Sequence, residues 1–209
     1  MIKVFYFNPL RECTYVVWND ERQGVIIDPG AITVREQQRL ADFVEAEGLQ
    51  VKAILLTHGH FDHVFGLKDA AARWDVPVYM HHKDQSVFEG SVDFSKMLGL
   101  PYEPYEGPIL DILRCAEAMP QGLEFEVLET PGHTQGCVCL YLPQDKLMFC
   151  GDTIFCGSVG RTDHPGGDHY QMIESIRREI LPLPRETRLL PGHGHETTIG
   201  DEIDMNPFL

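Results

Sequence analysis

The sequence predicts an α/β protein with two β-sheets covered by helices, rather than one parallel sheet. Three observations lead there. Nine short runs have strand-type composition, rich in β-branched and aromatic residues. Several strands come first, and helices alternate with strands later, which is the mixture expected of layered sheets and helices. PQDK, residues 143–146, joins two strand-like runs as a hairpin, a connection open only to antiparallel neighbours.

In chain order the strand-like runs KVFYF (3–7), TYVVW (14–18) and GVIIDPG (24–30) precede VREQQRLADFVEAEG (34–48). That segment places Leu40, Phe43 and Val44 on one helical face and stops at Gly48, as an amphipathic helix does. VKAILLT (51–57) follows, then a helix expected over VFGLKDAAARW (64–74) and a strand at VPVYM (76–80). Residues 88–122, with YEPYEG and Pro-rich ends, read as an irregular or helical insertion. The strands FEVLETPG (125–132), CVCLYL (137–142) and KLMFCGD (146–152) lead to a helix at DHYQMIESIRREIL (168–181), capped by Asp168, and to a last strand at RLLPGHG (188–194). No linker separates two composition regimes, so residues 1–209 are expected to form one domain, with the insertion around 88–122.

A net charge of −15 and a pI near 4.9 argue against a nucleic-acid partner, which needs clustered Lys and Arg. An anionic substrate would need a local basic spot. The sequence has no apolar run long enough to span a membrane and no signal-like N-terminus, so a cytoplasmic protein with no membrane partner is expected. The six cysteines form no C-x-x-C pair, and Cys137, Cys139 and Cys150 lie in strand-like runs where small buried thiols are the ordinary expectation.

Five strand-like runs end in a potential metal ligand: Asp28, His58, His133, Asp152 and His193. Strand ends that converge on one sheet edge are how sites are built on a rigid frame. The densest stretch is THGHFDH, residues 57–63, where Gly59 lets His58 and His60 approach one side of a tight turn and Asp62 and His63 begin the next helix. Imidazole with carboxylate suits zinc, and also iron or manganese; an all-oxygen set would have suggested magnesium or calcium. With His133, Asp152 and His193 the candidate ligands number seven, too many for one tetrahedral zinc and suited to two metals sharing a carboxylate. Two metals about 3.5–4 Å apart can hold a hydroxide nucleophile and polarise a carbonyl, so no Ser or Cys nucleophile is required. TPGHT (130–134) and LPGHG (190–194) look like one local solution used twice.

THGHFDH, the later PGHT, GDT and the final GH resemble the metallo-β-lactamase superfamily, over nearly the whole chain and in the family's order. The resemblance implies an αββα sandwich of two mixed β-sheets flanked by helices, with two divalent metals at one edge. It assigns His58, His60 and His133 to the first metal, Asp62, His63 and His193 to the second, and Asp152 to a bridge. Asp62 would also orient the hydroxide, and Asp28 would hold the metal-binding loop through hydrogen bonds. Within the superfamily, GDTIFCGSVGRTDHPGGD and PGHGHETTIGDEIDMNPF look most like the short glyoxalase II-like thioesterases, which implies a small-molecule substrate such as S-D-lactoylglutathione. Arg161 falls where that family places a basic residue contacting the glutathione moiety.

The chain departs from the pattern in three places. It ends soon after His193, where full-length glyoxalase II continues into a helical domain that builds much of the glutathione site. Asp163 and His195 stand at positions that are aromatic in the family. His195 has three readings: a substitute for His193 on metal, a residue facing the substrate, or a loop support. Arg161 has a second reading as the ion-pair partner of Asp163 or Asp168. His81, His82, His164 and His169 read as surface or supporting residues, and Tyr102, Tyr105 and Phe155 as packing rather than pocket lining. Three rival functions stand beside the thioesterase. A persulfide dioxygenase would use one iron on His58, His133 and Asp152. A lactonase or β-lactamase would use the same fold, and a non-catalytic metal-binding protein would be expected to lack ligands that this chain has.

Overall fold

A computed structural model describes the backbone of residues 1–209 and every side chain but that of Glu117. The chain divides into two compact units, Met1–Glu124 and Phe125–Leu209.

The first unit holds strands β1 (Ile2–Phe7), β2 (Glu12–Trp18) and β3 (Gln23–Ile27), helix α1 (Val34–Ala46), strand β4 (Gln50–Leu55), helices α2 (Phe61–Val64) and α3 (Leu67–Trp74), and strand β5 (Val78–Met80). A 3₁₀ turn at His82–Asp84 leads into helix α4 (Gln85–Met97), strand β6 (Ile109–Asp111) and a second 3₁₀ stretch, Ile112–Ala118. Its sheet runs β1-β2-β3-β4-β5-β6, antiparallel up to β3 and parallel from there on. Val16, Ile26 and Ile54 from the sheet pack with Leu40 of α1 and with Leu67 and Ala70 of α3 in one apolar core, and Tyr102 and Tyr105 lie against it.

Helix α1 begins at a reciprocal cap. Thr33 Oγ1 accepts from Glu36 N–H at 3.2 Å and Glu36 Oε2 accepts from Thr33 N–H at 3.0 Å, while Gly48 beyond its end takes φ +62°. The helix expected over 64–74 is instead two, α2 and α3, broken at Gly66. The Gly66 N–H donates to Pro29 O at 2.7 Å, and a Cβ there would stand 2.9 Å from the carbonyl oxygens of Pro29 and Ala31, so the 29–31 loop occupies the space a side chain would need. Helix α4 has Phe88, Ser91 and Ser95 as its buried residues, and two serines at core positions hide its apolar period from sequence reading.

The second unit holds strands β7 (Glu126–Glu129), β8 (Val138–Leu142) and β9 (Leu147–Gly151), the short hairpin β10 (Ile154–Phe155) and β11 (Ser158–Val159), helix α5 (His169–Ser175), strands β12 (Arg188–Pro191) and β13 (Thr197–Thr198), and helix α6 (Ile199–Met205). Its sheet runs β13-β12-β9-β8-β7; only the β9–β12 pair is parallel, so this sheet too is mixed. PQDK closes the antiparallel β8–β9 hairpin, with Lys146 at φ +51°. Asp168 caps α5, its Oδ1 accepting from Gln171 N–H at 3.0 Å, and the helix continues through a π turn at Ile176–Ile180. Cys139, Met148 and Cys150 pack with Met172, Ile176 and Ile180, so the strand cysteines are core thiols. All nine strands read from the sequence are present. The additional ones, β6, β10, β11 and β13, are only two or three residues long, too short to show a period.

Candidate metal centre

In the first unit β3 and β4 end side by side, and Asp28 and Thr57 join them. Asp28 is buried, at φ +49°, a left-handed conformation that Asp tolerates better than most residues. Its Oδ1 accepts from Thr57 N–H at 2.8 Å and its Oδ2 from Thr57 Oγ1–H at 2.6 Å, while Oδ2 also lies 3.0 Å from His63 Nδ1. These contacts set two imidazole tautomers. His63 Nδ1 faces a carboxylate acceptor and so carries the proton, which puts the lone pair on Nε2. Thr57 has one hydroxyl proton and gives it to Asp28, so its oxygen accepts from His58 Nδ1–H at 3.1 Å, and the His58 lone pair also falls on Nε2.

Asp28, His58 and His63 each place a ligand atom within 4.8 Å of the others. The hydrogen bonds sort them: Asp28 directs both oxygens at Thr57 and His63, and the two imidazoles present nitrogen. His60, half-buried, stands edge-on to His58 with 4.9 Å between ring centroids, and the His58 and His63 rings are 4.2 Å apart.

Beneath this loop lies Glu12, which sequence reading passed over because it sits in an apolar strand. Its side chain is fully buried, with Oε2 2.9 Å from Thr14 Oγ1. Thr14 Oγ1 also lies 2.7 Å from the Asp28 carbonyl and accepts from Gly30 N–H at 2.9 Å. A hydroxyl has one proton and a carbonyl only accepts, so the Thr14 proton goes to Asp28 and the contact with Glu12 takes its proton from the carboxyl. Burial agrees, pushing the Glu12 carboxyl well above its ordinary value of 4.5, with neighbouring Asp28 adding to the rise and His63 opposing it.

The native state therefore holds this proton to higher pH than the unfolded chain does, and stability is lost as pH rises from 4.5 through the raised value. Glu12→Gln removes that loss. In denaturation of metal-free protein, the variant should gain on the wild type between pH 5 and pH 8; an unchanged difference would show that Glu12 ionises in the fold at no cost.

In the second unit His133 follows Gly132, whose φ of +147° and close approach to Met172 leave no room for a side chain. His133 Nδ1 lies 2.7 Å from the Arg161 carbonyl, so it donates there and the lone pair again falls on Nε2. Asp152 follows β9, and its Oδ2 stands 3.5 Å from His133 Nε2 and 3.8 Å from His193 Nε2, one oxygen between two imidazoles. In the first unit His63 Nε2 and Asp62 Oδ2 are 3.8 Å apart.

These separations exceed the ordinary N–H···O range of about 2.7–3.2 Å. They lie close to the roughly 3.3–3.6 Å between neighbouring ligand atoms around one tetrahedral ion bound at about 2.0–2.2 Å. The donor set thus fits a divalent metal. The two PGH stretches are not one backbone repeated: the positive φ falls on Gly132 before His133 but on Gly194 after His193.

The Arg161 side chain is exposed and pairs with Asp163, Nε to Oδ1 at 2.8 Å and a second nitrogen to Oδ2 at 3.1 Å, which neutralises the basic spot locally. His164 is closer to the site than its sequence setting suggested, with Nε2 3.4 Å from His133 Nδ1 and the rings edge to face at 4.8 Å. His81 is buried, its Nδ1 accepting from Lys83 N–H at 3.2 Å, whereas His82, His169 and His195 are exposed.

The C-terminal stretch ETTIGDEIDMNPF also reaches the site's surroundings, through Glu202. This buried carboxylate accepts from Thr197 Oγ1–H at 2.6 Å, Gly157 N–H at 2.9 Å and Asn206 Nδ2–H at 2.8 Å, tying α6 to the β10–β11 hairpin that leads to Arg161. Glu202→Ala leaves three donors without their acceptor and should cost about 2–4 kcal/mol in urea denaturation. A loss under about 0.5 kcal/mol would show that water replaces the carboxylate.

Comparison with known proteins agrees with this geometry. The family model described as the metallo-beta-lactamase superfamily matches residues 9–193. The hydroxyacylglutathione hydrolase GloC of Haemophilus influenzae is 37% identical over 204 residues, covering 93% of this chain and 91% of its own length. Among solved structures, TTHA1623 in a di-iron-bound form superposes with a TM-score of 0.88 at 39% identity, covering 99% of this chain and 100% of that one. The B3 metallo-beta-lactamase BLEG-1 does so with a TM-score of 0.89 at 37% identity, covering 100% and 99%. With the fold matched end to end and the family model running through to His193, this chain belongs to the metallo-β-lactamase superfamily and is one of its metallo-hydrolases.

Proposed function

We propose that this chain is a cytoplasmic thioesterase that hydrolyses an S-(2-hydroxyacyl)glutathione, such as S-D-lactoylglutathione, at a centre of two divalent metals. His58, His60 and His133 would hold the first metal, Asp62, His63 and His193 the second, and Asp152 would be shared between the two. The observation that carries the reading is the control of tautomers: three buried imidazoles, His58, His63 and His133, each have Nδ1 engaged by a built acceptor, which leaves Nε2 as the ligand atom.

The kinship with GloC, named for hydroxyacylglutathione hydrolysis, supports the substrate class. Glutathione conjugates belong to the reducing cytosol. Zinc is the first metal to test, and iron stands beside it because TTHA1623 has been solved in a di-iron-bound form.

Metals held by these residues would supply a water ionised near neutral pH and Lewis acidity toward the thioester carbonyl. Asp62 orients the attacking water. Arg161 contacts an anionic part of the substrate by exchanging Asp163 for it, an exchange that costs little because water screens an exposed pair. Arg161→Ala should raise KM several-fold with kcat nearly unchanged, and Asp163→Asn should lower KM; equal KM in both variants would remove Arg161 from the substrate site.

The direct test is metal content of the purified protein alongside a thioester panel with and without glutathione. Two metals per chain and fastest hydrolysis of the glutathione thioester support the reading. One iron per chain with oxygen consumption on glutathione persulfide would overturn it in favour of a dioxygenase. Turnover of lactones or β-lactams but not thioesters would also overturn it.

A further inference from the structure

The turn between His58 and His60 is held at both polar groups of its one glycine. Asp84, fully buried at the end of the 3₁₀ turn before α4, accepts from Gly59 N–H at 2.8 Å through Oδ2. Ser91, buried on α4, donates from Oγ to Gly59 O at 2.8 Å, the shorter of its two contacts; the other, to Val87 O, is 3.1 Å. The backbone of α4 is itself pressed against the turn. A Cβ on Gly59 would meet Phe88 N at 2.9 Å and Asp84 O at 3.0 Å, so the glycine is required by space rather than by φ.

We infer that Asp84 and Ser91 are positioning residues that set the angle between the His58 and His60 imidazoles, and through it the affinity of one of the two metal positions. The Gly59 N–H belongs to the peptide that joins it to His58 and the Gly59 carbonyl to the peptide that joins it to His60; turning either plane swings the flanking Cα–Cβ bond, and one buried hydrogen bond resists each rotation. Neither residue offers a ligand atom to the metal. Both act through the backbone, as supporting residues do when their loss lowers metal affinity about 10–100-fold. The same role accounts for a serine at the buried position 91 of α4. The inference rests on the reading of His58 and His60 as ligands of the same metal.

The test is Co²⁺ titration of the metal-stripped full chain, following the visible absorption spectrum and measuring affinity by chelator competition, with a thermal melt of each metal-free variant. Ser95→Ala, whose hydroxyl donates to Ser91 O at 2.7 Å and not to Gly59, is the packing control. Asp84→Ala and Ser91→Ala should each weaken one Co²⁺ equivalent about tenfold or more and shift its spectrum, with the other equivalent unchanged. Asp84→Asn, whose amide oxygen can still accept from Gly59, should recover most of both.

Wild-type affinity and spectrum in Asp84→Ala and Ser91→Ala would overturn the inference and leave the dinuclear reading intact. Equal weakening in Ser95→Ala would overturn it as well, by showing a general packing effect. A wild-type chain that binds no Co²⁺ would overturn the ligand reading and this inference together.

Discussion

Asp28→Ala should destabilise the metal-free protein by about 3–5 kcal/mol and weaken metal binding by at least about tenfold. The first number follows from what the carboxylate accepts: the Thr57 N–H, the Thr57 hydroxyl and the His63 Nδ1–H, all buried. Hydrogen bonds to charged groups contribute about 1.5–3 kcal/mol each, and donors left buried without an acceptor cost more than the bond alone. The second number follows from tautomers. Without Asp28, the Thr57 hydroxyl proton can turn toward His58 Nδ1, which moves the His58 proton to Nε2 and blocks the ligand atom; His63 loses the acceptor that keeps its proton on Nδ1.

Asp28→Asn separates the two effects. The amide keeps the shape and the left-handed φ but can satisfy only part of the donor set, so metal affinity should fall further than stability. Urea denaturation of the metal-free chain and chelator competition measure the two quantities independently. Metal affinity equal to wild type in both variants would show that Asp28 supports the loop without governing its imidazoles.

Asp152→Asn should lower metal content and hydrolysis together, with kcat/KM down at least about 100-fold. One Asp152 oxygen stands between His133 Nε2 and His193 Nε2, at 3.5 and 3.8 Å, where a carboxylate can serve two ions and an amide oxygen carries neither the charge nor the second bond. Elemental analysis beside a thioester assay reads both quantities in one preparation. Full activity in the variant would show the bridge to be misassigned. Loss of activity with unchanged metal content would move Asp152 from a ligand to a residue acting on the substrate.

Much of this chemistry is legible without coordinates because it is local. His58, His60, Asp62 and His63 fall within six residues of one another, and a tight turn can present them only in a few ways. Strands β2, β3, β5, β8 and β9 show in the sequence because strands buried on both faces read as apolar runs. The break at Gly66 is not legible, since it depends on the Pro29 carbonyl, distant in sequence, reaching the position where a helix interior would have made its own bond. Helix α4 shows no clear apolar period for a related reason. Two of its buried positions are serines, and their partners are the Gly59 carbonyl and the helix's own backbone rather than an apolar surface.

Arg161 shows the limit from the other side. Its charge suggested a substrate contact, and its carbonyl, which sequence reading gives no reason to notice, holds His133.

By itself the sequence determined the α/β class, the metal-binding residue types and the family, because strand composition and ligand identity are properties of residues and their near neighbours. Only the tertiary structure decided which nitrogen of each imidazole carries its proton. That choice belongs to Asp28, Thr57 and the Arg161 carbonyl, and a proton goes to whichever acceptor the fold places within about 3 Å, however far away it lies in the chain.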